Sequence, residues 1–179
     1  YKGVDVGRYD PERSDRCRVR AELGLAPYQV AIMQVVRLNR LKDHPTALQA
    51  MTRLVQVCPQ ARLVLVGDGE ERPGIEQLIG ELNLAGQVSL LGTRSDVPRL
   101  LQGADIFLLS SVTEGIALTL IEAMATGLPC VATDVGGNSE VVVPAATGWL
   151  VPARTPDALA GALEKLVTDP RSRKAFGHA

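Results

Sequence analysis

The sequence has few aromatic residues and almost no net charge. Its 179 residues include one Trp, three Tyr and two Phe, so a surface that stacks bases or sugars on many aromatic rings is not expected. The formal net charge is −1, from 19 basic and 20 acidic side chains. Broad electrostatic binding of nucleic acid usually needs a basic excess, and we therefore expect no nucleic-acid partner.

Cysteine is also scarce. Cys17, Cys58 and Cys130 are odd in number and form no C-x-x-C pair, so we expect neither a disulfide scaffold nor a zinc site, and a reducing compartment fits. No apolar run approaches the ~20 residues of a membrane-spanning helix, and no signal peptide is recognisable. The chain begins at Tyr1 without an initiator Met, which we interpret as the cut edge of a longer protein.

Short apolar, β-branched runs alternate along the chain with segments of helical spacing. The runs are nearly continuous in hydrophobicity, as in a sheet that is covered on both faces. Strands that alternate with helices imply right-handed βαβ crossovers. The prediction is an α/β fold in one domain over residues 1–179, a Rossmann-like, doubly wound parallel sheet of about six strands with helices on both faces. The predicted strands are 30–36, 61–66, 88–91, 105–109, 129–133 and 148–151, and the predicted helices are 45–57, 74–82, 97–102, 117–125 and 156–166. The more polar segment 10–25 is a candidate peripheral helix, and Asp169-Pro170 is interpreted as the end of the last helix.

Common nucleotide and hydrolase motifs are missing from this pattern. In a G-x-G-x-x-G fingerprint, Gly67 and Gly69 would need a third glycine where Arg72 stands, and neither a phosphate-binding P-loop nor a G-x-S-x-G elbow occurs. His44 and His178 lack the neighbours of a metal site. Ligands of such sheets bind beyond the carboxyl ends of the strands, so the loops at those ends hold the remaining candidates.

Three such loops carry candidate functional residues. Arg37 and Lys42 follow the first strand and could converge on a diphosphate, although a solvated basic turn would look the same. Glu114 and Gly115 precede a helix whose free amides form an anion site, and Glu122 lies about two turns further along. A structural alternative is an acid that complements the helix dipole together with an exposed Glu. Residues 133–140 form either a loop that closes over a ligand or a plain surface turn.

Taken in order, these segments resemble the C-terminal domain of retaining GT-B glycosyltransferases of the family-4, or group 1, type. At the centre is a pair of glutamates with seven residues between them, Glu114 and Glu122. Any single piece is weak, whereas the ordered set is specific. The matching segments are Gly3-Val4-Asp5, Arg37 to Lys42, Val66 to Gly69, Leu91 to Val97, Ala104 to Ser110, Gly127-Leu128-Pro129 and Asp134 to Gly137.

The resemblance implies a donor-binding domain that helps to transfer a sugar from a nucleotide-diphospho-sugar with retention of anomeric configuration. It assigns Arg37 and Lys42 to the diphosphate, Glu114 to sugar hydroxyls and Glu122 to the ribose. Arg37, Lys42 and Glu114 are the expected catalytic residues. The expected donor-binding residues are Gly67, Asp68, Thr93, Arg94, Gly115, Ile116, Ala117, Leu118, Thr119 and Glu122.

Three departures from the family pattern stand near this site. Ile116-Ala117 replaces the common Phe-Gly, which could change the shape of the sugar pocket. Val36 replaces a Gly before the basic turn, and Asp43 places a negative charge directly after it. Two other functions stay open at this point, namely a different GT-B enzyme such as a sugar-nucleotide epimerase, and a non-catalytic nucleotide-sugar-binding module.

The same resemblance sets expectations for partners and location. No D-x-D motif occurs, so neither a metal nor a cofactor is expected. The donor nucleotide is expected to be UDP first and GDP next. The other partner is an N-terminal acceptor-binding domain of the same protein, which is absent from this sequence, so the isolated fragment should be inactive. The resemblance implies a cytoplasmic protein of polysaccharide or glycolipid assembly. Whether the full-length enzyme sits peripherally on the inner membrane face stays open.

Overall fold

A single parallel sheet organises the computed structural model, which describes residues 4–179. The strand order is β3-β2-β1-β4-β5-β6, and every neighbouring pair is parallel. The strands are β1 Val30–Val35, β2 Ala61–Val66, β3 Val88–Leu90, β4 Ile106–Leu109, β5 Cys130–Thr133 and β6 Gly148–Val151.

Helices connect these strands and cover both faces of the sheet. Short 3₁₀ turns are formed by Val6–Arg8 and Arg40–Lys42. Among the described residues, none of the helices has the length and apolarity needed to cross a membrane. The helices are α1 Arg16–Glu22, α2 His44–Val57, α3 Arg72–Glu81, α4 Val97–Leu101, α5 Leu118–Ala125, α6 Asn138–Val141, α7 Pro156–Thr168 and α8 Pro170–His178.

Alternate residues of each strand bury their side chains on opposite faces of the sheet. In β1, Ile32 packs with α2, α3 and α7, whereas its neighbour Met33 packs with α1, α4 and α5. Successive strand residues point to opposite faces, so a sheet that is buried twice needs apolar residues at every position. Cys130 of β5 lies in the second core, and burial raises the pKa of its thiol to about 12, as suits an unreactive core residue.

The structure confirms the predicted α/β class and all six predicted strands, with ends within one residue. It differs in the peripheral helices. The polar segment 10–25 is helical only over Arg16–Glu22, and the loop 133–140 contains the start of the short α6. The predicted entry motif begins at Gly3, which lies outside the described residues.

Helix α8 was not predicted, because Asp169-Pro170 was interpreted as the end of the last helix. Asp169 instead caps α8, since its carboxylate accepts hydrogen bonds from the backbone N–H groups of Arg171 and Ser172. Pro170 occupies the first helical position, where a missing N–H costs nothing. Phe176 then packs edge-on against Trp149 of β6, with ring centroids 6.0 Å apart.

The strand order reverses between β1 and β4, which are neighbours in the sheet. The connections leave these two strands in opposite directions, and a crevice therefore opens beyond their carboxyl ends. The loop after β1 carries the predicted basic residues, and the loop after β4 carries the predicted acid. The topology thus brings two distant parts of the sequence to one place.

Candidate functional site

The basic turn after β1 is held in a defined conformation. The side chain of Asn39 accepts a hydrogen bond from the Leu41 N–H at 3.1 Å and begins the short 3₁₀ turn. Asp43 ends that turn in the left-handed region, with φ 46° and ψ 53°, which is uncommon for a residue other than glycine. Helix α2 begins directly after it. Lys42 is thereby fixed between a tight turn and a helix start.

Lys42 forms an ion pair with Glu114 across the strand reversal. Its Nζ lies 2.5 Å from Glu114 Oε1, and the Ser111 hydroxyl donates to the same oxygen at 2.6 Å. The two charged side chains are only 20% and 10% exposed. A pair so far removed from water is costly to break by removing one partner, and it links the loops after β1 and β4.

Hydrogen bonds among buried polar side chains hold the backbone on either side of this pair. The Gln34 amide donates to the Ser110 hydroxyl at 3.0 Å, and Ser110 donates to the Lys42 carbonyl at 2.7 Å. The Thr133 hydroxyl at the end of β5 donates to the Ser111 carbonyl at 2.6 Å. Gln34, Ser110, Ser111 and Thr133 are fully buried. These bonds hold the backbone of both loops in place.

The loop after β5 packs directly against the loop that carries Glu114. The Gly137 N–H donates to the Gly115 carbonyl at 2.6 Å. Gly136 adopts φ +54°, and a Cβ there would nearly overlap the Glu114 carbonyl oxygen and lie 3.1 Å from that of Gly115. Only glycine combines this φ with such a close backbone approach. The predicted flexible loop therefore makes a close contact with the predicted acid loop.

An open cleft of about 340 Å³ lies at the carboxyl ends of β1, β2 and β3, and Lys42, Glu114 and Glu122 are not among the residues that line it. It brings together six of the residues that the sequence predicted, including two cationic side chains. Thr119 reaches it from the first turn of α5. The predicted residues in its wall are Arg37, Gly67, Asp68, Thr93, Arg94 and Thr119.

Two charged side chains of the cleft wall, Arg94 and Asp68, are fixed by hydrogen bonds to neighbouring groups. Hydrogen bonds from Arg94 to Asp96, at 2.8 Å from both Nε and Nη2, raise the pKa of Arg94 above its ordinary value. A hydrogen bond from the Gly69 N–H, aided by Arg72, lowers the pKa of the Asp68 carboxyl.

Arg37 is less constrained than Arg94. Its side chain is 70% exposed and, among residues 4–179, pairs with the exposed Glu70 alone, at 3.2 Å. An exposed pair of this kind contributes little free energy, so Arg37 can turn toward an anion in the cleft.

Glu122 lies one turn beyond Thr119 on the same helical face but does not contact the Lys42–Glu114 pair. It is half-buried next to Tyr9. Burial, together with this carboxylate, raises the pKa of the Tyr9 phenol to about 12. The two glutamates of the predicted pair therefore occupy different surroundings, one in an ion pair and the other against a tyrosine.

The remaining predicted donor residues form the turn into α5. Gly115, Ile116 and Leu118 are exposed, whereas Ala117 is buried and precedes the helix.

The sequence interpretation missed Ser111, which contacts Glu114 directly. A signal was present, because a polar residue at the carboxyl end of an otherwise apolar buried strand faces the ligand edge of such a sheet. Within residues 4–179, no group of three or more His, Cys, Asp and Glu side chains is placed to hold a metal ion.

Comparison with known proteins extends these observations. The family model for glycosyl transferases group 1 matches residues 15–179. N-acetyl-alpha-D-glucosaminyl L-malate synthase of Bacillus anthracis is 32% identical over 165 residues, which cover 92% of this chain and 43% of the relative. The chain thus spans less than half the length of that relative.

Solved structures agree with the fold. Anabaena HepE, crystallised with UDP, superposes with a TM-score of 0.91 at 28% identity, over 99% of this chain and 49% of HepE. The crystal structure of the C-terminal domain of a glycosyl transferase group 1 family protein from Francisella tularensis superposes with a TM-score of 0.86 at 24% identity, over 98% of this chain and 93% of that one. This chain belongs to the glycosyl transferases group 1 family and has the fold of a C-terminal GT-B domain.

Proposed function

We propose that this chain binds a nucleotide-diphospho-sugar at the carboxyl edge of its sheet and is the donor half of a retaining glycosyltransferase. The observation that carries the proposal is the Lys42–Glu114 ion pair, which joins the loops after β1 and β4 at the carboxyl ends of those strands. Crevices at such a strand reversal are the usual ligand sites of open α/β sheets. A buried pair kept at that position suits ligand chemistry better than stability alone.

The cations have a role in the departure of the nucleoside diphosphate. Cleavage of the bond between sugar and phosphate leaves negative charge on the diphosphate, and cations already in place stabilise that charge without rearranging. Lys42 is held by Glu114, and Arg37 lies exposed at the cleft wall. Amides of residues 115–119, at the N-terminus of α5, would add partial positive charge. In this proposal these groups act without a bound metal.

The two glutamates would then hold sugar hydroxyls at separate places. Glu114 uses Oε1 for Lys42 and Ser111, while its Oε2 accepts no hydrogen bond from the described residues. That oxygen is available to the transferred sugar. Glu122, one turn beyond Thr119, would take the ribose, and the backbone at Thr93 and Arg94 would contact the base.

The relatives support UDP as the nucleotide and a second domain as the partner. HepE is crystallised with UDP and with UDP-glucose, and this chain covers 49% of it. We therefore propose that the full-length protein carries a further domain that binds the acceptor. Polysaccharide or glycolipid assembly in the cytoplasm, with retention of configuration, belongs to the same proposal.

Isothermal titration calorimetry of the 179-residue chain with UDP, GDP and ADP sugars tests donor binding. We expect UDP-sugar to bind and Arg37→Ala to weaken it by about 10- to 100-fold, because a hydrogen bond to a charged group contributes ~1.5–3 kcal/mol. The matched control is Arg53→Ala, which removes an arginine of α2 from another exposed pair, with Asp157 of α7. Equal affinities of the two variants would contradict the assignment of Arg37. A folded chain that binds none of the three nucleotide sugars would overturn the proposal itself.

A further inference from the structure

A second cavity lies at the amino edge of the sheet, opposite the candidate donor cleft. Asp105 and Pro129 line it directly before β4 and β5, and α8 closes one side. Its volume is about 410 Å³, within the range of ~300–1,000 Å³ that is usual for ligand pockets. A smaller cavity of about 240 Å³, between the starts of α2 and α3, has His44 in its wall. The larger cavity shares no lining residue with the donor cleft and is therefore a separate site.

The carboxylates of this cavity do not balance its cations. Asp105 Oδ1 lies 2.6 Å from Arg16 Nη2, while its Oδ2 lies 3.0 Å from Arg20 Nη1 and accepts the Ala31 N–H at 2.8 Å. Two guanidiniums against this one carboxylate leave a local positive charge. The other carboxylate of the wall, Glu12, is exposed, where salt screens its charge. The cavity is therefore positive before its remaining cations are considered.

Arg13 and Arg173 add two half-buried guanidiniums to the wall. Among the described residues, Arg13 donates only to the Ala104 carbonyl, from Nη1 at 3.0 Å, and Arg173 donates only to the last carbonyls of α7, also from Nη1. Burial lowers the pKa of both guanidiniums, and the charge of Arg16 lowers both further. Because a guanidinium keeps its proton in proteins, these shifts mark cations that lack a compensating negative charge.

The unused donors of these guanidiniums are within reach of a ligand. A guanidinium has five N–H groups, and Nε and Nη2 of Arg13 and Arg173 donate no hydrogen bond to the described residues. Neither of these half-buried side chains has an unpartnered nitrogen that is closed off from solvent. Lys174, which is exposed on α8, lines the same cavity. A ligand that enters the cavity can thus bind three cations.

The cavity has a firmly packed, partly apolar wall. A Cβ at Gly177 of α8 would lie only 2.2 Å from the Gly127 carbonyl oxygen, and a Cβ at Gly127 would lie 3.5 Å from the Pro11 carbonyl oxygen. Three segments that are distant in sequence therefore meet around the cavity. The rings of Pro11, Pro129 and Pro170 line it and provide C–H surface without an N–H group. This surface suits a small carbon skeleton next to an anionic group.

We propose that this cavity binds a small, soluble organic phosphate monoester, whose phosphate group lies between Arg13, Arg173 and Lys174. A guanidinium binds phosphate oxygens through two parallel N–H donors. A phosphate monoester carries a charge of about −1.5 to −2 at pH 7 and so balances more of the wall than a single carboxylate does. The proline rings would contact its carbon skeleton. This inference goes beyond the proposed donor binding and does not depend on it, because the two sites lie at opposite edges of the sheet.

The test is a titration of the ¹⁵N-labelled 179-residue chain, followed by NMR, with glycerol 3-phosphate and with glycerol as its neutral counterpart. Arg173→Gln and Lys174→Gln each remove one cation from the cavity wall. Lys174 is exposed, so its variant should fold even if the loss of the Arg173 bonds to α7 destabilises the other. Arg171→Gln is the matched control, because Arg171 is exposed on the same helix and does not line the cavity.

We expect glycerol 3-phosphate to shift the Gly127 and Gly177 amides, which lie beside the cavity, in a saturable manner, and glycerol to leave them unchanged. Arg173→Gln should weaken binding by at least about tenfold, equivalent to ~1.4 kcal/mol. Lys174→Gln should weaken it by at least about threefold, whereas Arg171→Gln should leave it within about twofold. No saturable shift in the wild-type chain, equal affinities of Lys174→Gln and Arg171→Gln, or shifts confined to the donor cleft would each overturn the proposal.

A lipid headgroup can present the same phosphate group on a membrane. Sedimentation of the chain with phosphatidylcholine vesicles that contain phosphatidic acid separates the two sources. The proposal predicts saturable binding of glycerol 3-phosphate without sedimentation, and sedimentation without binding of glycerol 3-phosphate would contradict it. UDP-sugar affinity, measured on the same samples, reports independently on the donor cleft.

Discussion

Replacing Gly136 by alanine tests whether the loop after β5 positions the acid loop. Gly136 has φ +54°, and its backbone lies against the carbonyl oxygens of Glu114 and Gly115. An alanine Cβ there would nearly overlap the Glu114 oxygen. The two backbones must therefore separate, and the hydrogen bond from the Gly137 N–H to the Gly115 carbonyl must lengthen or break. Glu114 should then move away from Lys42.

The expected cost has two parts. Holding alanine at this φ costs about 1 kcal/mol, and leaving the N–H of the buried Gly137 without its hydrogen bond costs about 1–2 kcal/mol more. Together these lower the free energy of unfolding by about 2–3 kcal/mol, which leaves a typical domain folded. At about 2–4 °C for each kcal/mol in a domain of this size, the melting temperature should fall by roughly 5–10 °C.

Gly24→Ala separates these two parts. Gly24 also has a positive φ, +66°, but a Cβ there meets nothing within 4 Å. It should cost only the backbone part, about 1 kcal/mol, and leave UDP-sugar affinity unchanged. Thermal melts and calorimetric titrations of both variants measure the difference. If Gly136→Ala melts like Gly24→Ala and binds UDP-sugar like the wild type, the loop after β5 does not position Glu114.

Three further predictions concern the charged groups. Lys42→Met and Glu114→Gln should each weaken the binding of UDP-sugar. In a double-mutant cycle their effects on the free energy of unfolding should be non-additive by about 1–3 kcal/mol. Additive effects would show that the 2.5 Å pair contributes nothing to stability. His44 has a pKa of about 4 in the folded chain and 6.5 in the unfolded chain. Between these values only the unfolded chain binds the proton, so the free energy of unfolding decreases as the pH is lowered from 6.5 to 4. Urea unfolding should show the wild type losing about 3 kcal/mol relative to His44→Leu between pH 7 and 4, and parallel losses in both proteins would be inconsistent with a neutral His44. Asp105→Asn should lower the free energy of unfolding by about 3–5 kcal/mol, because the 12% exposed carboxylate binds Arg16, Arg20 and the Ala31 N–H. The control Asp157→Ala, in an exposed pair with Arg53, should change it by less than about 0.5 kcal/mol. Similar losses in the two variants would show that burial of the ion pair does not set its contribution to stability.

The sheet was predictable because its residues obey a local rule. A strand that is buried on both faces needs an unbroken apolar run, and runs such as 61–66 are visible without knowing what they contact. Helix α2 was equally clear, since one face of it is consistently apolar. Helix α8 was missed because one local signal, Asp169-Pro170, ends α7 and also caps α8, and the packing of Phe176 on Trp149 is not visible in the sequence.

The sequence likewise predicted some features of the candidate site and not others. Residue type and order indicated Arg37, Lys42 and Glu114, and the family they resemble is the one that the comparison confirmed. Their roles stay predictions. The sequence interpretation placed Glu114 on the sugar but did not foresee that its Oε1 is taken by Lys42 and Ser111. Nor did His44, which lacks the sequence neighbours of a metal site, predict a cavity at the start of α2.

Local periodicity and punctuation in the sequence alone therefore determined the strands, the main helices and the edge of the sheet at which a ligand is expected. Each of these depends on residues close together in the chain. Only the tertiary structure decided which of those residues meet. The reversal of strand order between β1 and β4 brings Lys42 to Glu114, and the close approach of Gly136 to Glu114 fixes the acid loop. Contacts of this kind are set by three-dimensional packing, which no short stretch of sequence contains.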